Sequence, residues 1–255
     1  MRAIRAIAVN TFREAIRDRI LYLFVGFAVV MVVSTKLFGM LTVGDETKIM
    51  KDIGLAAMQF FSMLIAVMMS MLLISREVDS RTVFNILAKP VRRWQFILGK
   101  YLGLVAIVAA NLMFITAVLV VMLLIYSRQF DPMLLFAAAM TMLEMLVLAA
   151  FATLFAVLTR PILGSLMTLA VFVVGHMSED LWMLSRALPG AFTRGVIAVV
   201  YYLVPNLERF DFKNEVVHGL AIPPAAVGWA CLYALVFVTV VLFLADLRFH
   251  GKDLK

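Results

Sequence analysis

The chain has 255 residues, 64% of them hydrophobic, and a mean hydropathy of +1.03. Soluble domains are about 45–50% apolar, so a water-soluble core is excluded. The net charge of +7 is spread over basic residues lying between apolar runs. That placement orients a membrane protein rather than binding nucleic acid, and the single cysteine, Cys231, excludes a disulfide within the chain.

Residues 2–19 place Ile4, Ile7, Ala8, Phe12, Ala15 and Ile16 at helical spacing, with Arg2, Arg5, Arg13 and Arg17 on the remaining surface. This predicts an amphipathic helix on the inner leaflet, anchored by Arg13 and Arg17 near anionic headgroups. The apolar run that follows is too long for the core of a cleavable signal and has no small-residue cleavage site, so it is a permanent first span, 20–41. A polar loop with Gly44, Asp45, Glu46 and Lys48 leads to a second span at 53–74. Residues 75–100 form the longest polar break on the inner side. Within it, Asp79 or Ser80 starts a short helix over about 80–88, Val83, Phe84, Leu87 and Ala88 share its apolar face, and Pro90 ends it. Arg92, Arg93 and Trp94 anchor the third span, 101–126, at the interface. Asp131-Pro132 separates it from a fourth span at 133–158, and Thr159-Arg160-Pro161 turns into a fifth at 162–178, with Pro161 suited to a first helical turn.

Residues 179–223 then form an outer loop, with a sixth span at 224–247. The stretch 191–204 is apolar, yet only ten residues separate Gly195 from Val204 before Pro205, half of what a bilayer requires. It reads as a re-entrant or interfacial helix; the rival reading, a seventh span, puts Arg248, Lys252 and Lys255 outside. With the amino terminus inside, and with Asp246 and Lys36 at span ends counted to the inner and outer sides, the inner side carries 15 Lys/Arg against 6 Asp/Glu and the outer side 8 against 9. This bias favours both termini on the cytoplasmic side. The expected fold is an all-α integral membrane protein of six spans in a single domain.

Several polar residues fall inside spans. Glu144 lies near the middle of the fourth, where a carboxylate costs about 2.5–3.5 kcal/mol on insertion scales. It is either a residue of substrate contact or of a proton-linked step, or a protonated or hydrogen-bonded packing residue at a dimer seam, and the two readings weigh equally. Gln59 and Asn111 join it as candidates for a polar path; with Ser62, Ser70 and Thr116 they also suit simple helix-to-helix hydrogen bonding. Lys36 suits snorkelling to the outer surface better than pairing with Glu144. His176 stands without a second ligand at metal spacing, so no metal site is expected. Met58, Met63, Met68, Met69 and Met71 read as adaptable packing ahead of a Cu(I) path.

Three stretches carry a family resemblance: NTFREAIRDRILYLF at 10–24, REVDSRTVFNILAKPVRRWQFILGKYLG at 76–103, and LVPNLERFDFKNEV at 203–216. Together they resemble permeases of ATP-binding-cassette (ABC) exporters of the second class, most closely those of multi-copper-enzyme maturation such as the nitrous-oxide-reductase maturation permease. The resemblance implies a homodimer, or a pair with a related permease, in the cytoplasmic membrane. It also implies two copies of a cytoplasmic ATPase, which hold the ATP and Mg; this chain binds no cofactor of its own. On the same basis 75–100 is the coupling loop, with Glu77, Arg81, Phe84, Leu87 and Arg93 as ATPase-contacting residues. The residues agree on one point: no G-x-x-x-x-G-K-[ST] loop is present, so these 255 residues cannot cradle ATP phosphates, and the chain is not an enzyme by itself. A secondary transporter or a non-transporting membrane subunit is the alternative, although the related halves of many secondary carriers are not found. A membrane enzyme ranks third, since no catalytic set converges at one depth.

Overall fold

The computed structural model describes residues 2–39, 46–79, 92–128, 130–187 and 191–250. The described chain is all helical apart from turns and short connections. Its helices are α1 (Arg2–Ile16), α2 (Arg19–Gly39), α3 (Glu46–Asp79), α4 (Arg93–Ser127), α5 (Met133–Leu158), α6 (Pro161–His176), α7 (Ser178–Ala187), α8 (Ala191–Leu203), α9 (Lys213–His218) and α10 (Pro224–His250), with a single 3-10 turn at Glu208–Phe210. Five of these, α2, α3, α4, α5 and α10, are long and apolar enough to cross a bilayer, and α6 with α7 makes a sixth candidate that bends by 64° between them. The end of the bundle carrying Lys51 and Asp131 is called the outer end below, following the charge count.

α5 is the central element. Met145, Val147, Leu148, Ala149, Ala150 and Ala152 are all buried, and the small alanines let neighbouring helices approach closely. α3 packs against it through Met63, Ile65, Ala66 and Met69, and α4 through Leu104, Ile107 and Val108. α3 has 34 residues, about 50 Å at 1.5 Å per residue, well beyond the ~30 Å hydrocarbon layer. Met71 sits beside Gly164 near the inner end of α6, so α3 continues past the bundle to Asp79. Residues 80–91, with Arg81, Phe84 and Leu87, lie outside the described residues; Glu77 is in the last turns of α3.

α1 does more than rest on lipid. An added Cβ at Gly99 would lie 2.8 Å from Ile7 side-chain carbons, and one at Gly103 would lie 2.6 Å from the Cβ of Thr11 and 2.9 Å from the carbonyl of Ala8. Glycines four apart on α4 therefore let the α1 backbone approach closely, as small residues do between membrane helices. Thr11 and Ala15 are buried in this contact, and part of the stripe that the sequence assigns to lipid is covered by protein. Arg13 and Arg17 remain exposed on the opposite side, as does Trp94 at the start of α4. Arg93 donates from Nη1 to the carbonyl of Phe249 at 3.0 Å, satisfying one of the unpaired carbonyls at the end of α10.

At the outer end, Lys51 of α3 pairs with Asp131, whose Oδ1 also accepts from the Met133 N–H at 2.9 Å at the start of α5. Burial opposes ionisation of Asp131, but the Lys51 hydrogen bond, the Met133 N–H and the Lys51 charge outweigh it and hold the carboxyl below its usual range. Lys36 lies 4.3 Å from the centre of the Tyr126 ring; it makes a cation–π contact at the outer end.

The loop at 179–223 is mostly structured. α7 and α8 pack together, with Trp182 stacked on Tyr201 at 5.0 Å. α8, 13 residues long, is about 20 Å at 1.5 Å per residue, too short to cross. After it the chain turns back into the bundle. Leu207, Phe210, Val216 and Val217 are buried, the Leu207 N–H donates to the Gly175 carbonyl at 3.0 Å, and the Asn206 N–H donates to the Tyr233 hydroxyl at 2.8 Å. A segment that reads as polar loop is thus a plug seated among α3, α5, α6 and α10.

Candidate functional site: a polar cluster at mid-bundle

The plug brings one side chain to the charge at the centre of the bundle. Glu144 sits 11 residues into α5, about 17 Å below its outer end at 1.5 Å per residue, and is 1% exposed. α6 ends beside it, so His176 at its carboxyl end reaches the same level. Gln59 arrives from α3 and Lys213 from the first residue of α9.

Gln59 organises the group. Its Nε2 donates to Glu144 Oε2 at 2.6 Å and lies 2.9 Å from His176 Nε2. Its Oε1 accepts from Lys213 Nζ at 2.5 Å, and Lys213 Nζ also lies 3.1 Å from Asp211 Oδ2. His176 Nδ1 is 3.0 Å from the Phe172 carbonyl. A carbonyl only accepts, so Nδ1 carries the proton and donates; Nε2 is then bare and accepts the second Gln59 N–H. Both Gln59 amide hydrogens and its oxygen are used, which fixes its orientation.

One atom is left over. Glu144 Oε1 is buried and has no hydrogen-bond partner among the described residues. It lies 3.4 Å from His176 Nε2. That separation makes an ion pair only with a proton on Nε2, where it would compete with the Gln59 N–H. With the tautomer that the network assigns and an ionised Glu144, two acceptors face each other; a proton on either group would supply the donor between them. Buried acceptors are rarely left so.

Asn111 does not join this cluster. Its Nδ2 donates to Ser62 Oγ at 3.3 Å, three residues further along α3 than Gln59, and its Oδ1 has no partner. The two polar groups are neighbours about one turn apart. Met58, Met63, Met69 and Met71 are buried, and Met58 Sδ accepts from Thr116 Oγ1 at 3.2 Å, a packing use. Among the described residues no three His, Cys, Asp or Glu side chains are grouped to hold a metal.

The sequence singles out Glu144 and Gln59 as path candidates, and the fold brings them into contact. Lys213 and the pairing of His176 are not foreseen. Their signal is faint: a lysine between Asp211, which Phe210 and Phe212 flank, and Glu215, and a histidine at the very end of a 16-residue apolar helix.

Outside the cluster, burial raises Glu208 above its usual carboxylate range, and the charges of Glu179, Asp180 and Asp211 add to this.

The described chain is a helical bundle with five or six candidate spans and a polar group enclosed within it. No curated protein matches the chain. A family model described as ABC-2 family transporter protein matches residues 5–254, nearly the whole length, and the chain belongs to that family.

Proposed function

We propose that this chain is the permease subunit of an ABC exporter in the cytoplasmic membrane, working as a pair of permeases with two copies of a cytoplasmic ATPase. Family membership over residues 5–254, in a sequence without a phosphate-binding loop, carries the reading: a transport component lacking that loop takes its energy through contact with the protein that holds ATP. The finer likeness to copper-enzyme maturation permeases rests on the three sequence stretches alone. In this reading both termini face the cytoplasm, as the charge bias favours. The substrate route passes Glu144 and Gln59, with Asn111 a turn deeper. The loop between α3 and α4 is the ATPase contact, and the extension of α3 to Asp79 beyond the bundle supports it by carrying the chain away from the membrane there.

The test is ATPase recruitment. Phe84 and Leu87 share the apolar face expected over 80–88, and burying such side chains contributes about 1.5–3 kcal/mol each. Phe84→Asp with Leu87→Asp is expected to abolish co-purification of the ATPase or to uncouple hydrolysis from transport, while the permease accumulates normally. Lys48→Asp, on the outer side, is expected to change neither. Normal recruitment and transport in the double variant would refute the coupling role of this loop.

A further inference from the structure

Glu144 Oε1 has no hydrogen-bond partner among the described residues, and the lysine of the cluster belongs to a segment that is not part of the bundle's long helices. Lys213 is carried by the six-residue α9, at the tip of the plug, and is held by Gln59 Oε1 and Asp211. Next to it, Glu144 Oε1 lies 3.4 Å from His176 Nε2, whose lone pair takes the Gln59 N–H. An ammonium group has three N–H donors, enough for Glu144 Oε1 and the Gln59 oxygen that Lys213 now occupies. The walls are aromatic: the Phe172 ring lies 4.4 Å from the His176 ring, and Phe136 meets Phe212 of the plug edge-on at 5.7 Å.

We propose that the Glu144–Gln59–His176 cluster is the binding site for the protonated primary amine of an amphipathic substrate, and that Lys213 is an internal stand-in for that amine, which the substrate displaces together with the plug. This rests on the permease reading above. In the closed state the lysine keeps the carboxylate compensated and the plug seated. Substrate amine takes over the same acceptors, and the plug is released towards the outer side. A lysine serving only to neutralise Glu144 would be needed for folding but would not compete with amines.

The test uses dansylcadaverine, a fluorescent primary amine, with the purified full chain in lipid nanodiscs, and reads binding by fluorescence. The wild type is expected to bind it and to ignore its N-acetylated form, which has no ammonium. Lys213→Met is expected to tighten binding about tenfold, because removing an internal competitor raises the binding-competent fraction. Glu144→Gln is expected to weaken it by at least about tenfold for the same reason in reverse. In a Cys231→Ser background, Val217→Cys, buried in the plug, is expected to react faster with maleimide when the amine is present. Unchanged or weaker binding in a folded Lys213→Met, or equal binding of the N-acetylated form, overturns the proposal. Should Lys213→Met not accumulate, the Val217→Cys labelling decides, and no amine-dependent rise overturns it. No ATPase takes part, so failure here leaves the permease reading to stand or fall on recruitment.

Discussion

Glu144→Gln is expected to remove most transport while leaving the protein folded and assembled. The substitution keeps the volume of the side chain, and its carbonyl still accepts from Gln59. Its new amide faces His176 Nε2, 3.4 Å from the present Oε1, and can share that acceptor with the Gln59 N–H. A buried hydrogen bond of this kind contributes about 0.5–1.5 kcal/mol, and the desolvation of a charge in the bundle, costly on any scale, disappears. The thermal midpoint should therefore hold or rise. Transport should fall because the negative charge that compensates Lys213, or a cation in its place, is gone. Transport in proteoliposomes and the unfolding temperature of the same preparation separate the roles. Wild-type transport with Gln would reduce Glu144 to a packing residue, and loss of assembled protein would place it at a structural seam instead.

The second large effect is expected at Gly175. A Cβ there would lie 2.7 Å from the Pro205 carbonyl oxygen and 2.8 and 3.0 Å from two Leu207 side-chain carbons. The first of these is backbone and cannot rotate away. The Leu207 N–H also donates to the Gly175 carbonyl, so the plug is fastened at the same point that a side chain would push apart. Overpacking alone costs about 1–3 kcal/mol. If the plug lifts, Leu207, Phe210, Val216 and Val217 leave the core, each forfeiting about 1.5–3 kcal/mol of burial. Gly175→Val should lower the unfolding temperature markedly and open 205–218 to proteolysis, and it should release Lys213 from Gln59. Gly228→Ala, where an added Cβ meets nothing within 4 Å, is the control and should leave both unchanged. A Gly175→Val protein as stable and protease-resistant as the wild type would show that the plug is not held at this contact.

Much of the architecture is legible in the chain because bilayer length and hydropathy impose it. The apolar runs of α2 to α5 and of α10 declare themselves, and Pro161 marks the start of α6 as its missing N–H allows. Glu144 stands out because a carboxylate in an apolar run is expensive, and Gln59 because it is an amide in another. Periodicity says which face of a helix is polar; it does not say what meets it. Gln59 and Lys213 are 154 residues apart, and nothing local to either names the other. The plug is hidden by its composition. PNLERFDFKN reads as part of an outer loop, yet Leu207 and Phe210 are buried, Arg209 lies over the Tyr233 ring at 4.9 Å and Lys213 reaches the cluster. The contact of α1 with α4 is missed for a different reason. Gly99 and Gly103 look like weak points in a helix until the partner backbone lies against them.

The central claim is that this chain works with an ATPase it does not itself contain, and the most direct measurement is the composition of the intact complex. The tagged wild-type chain would be extracted from its native membrane in lipid nanodiscs and weighed by native mass spectrometry. The expected result is an assembly of two permeases with two copies of a nucleotide-binding chain that carries a G-x-x-x-x-G-K-[ST] loop, and ATP hydrolysis that depends on that chain. Recovery of this protein in an assembly without any nucleotide-binding chain, together with transport that continues when ATP is withheld, would contradict it.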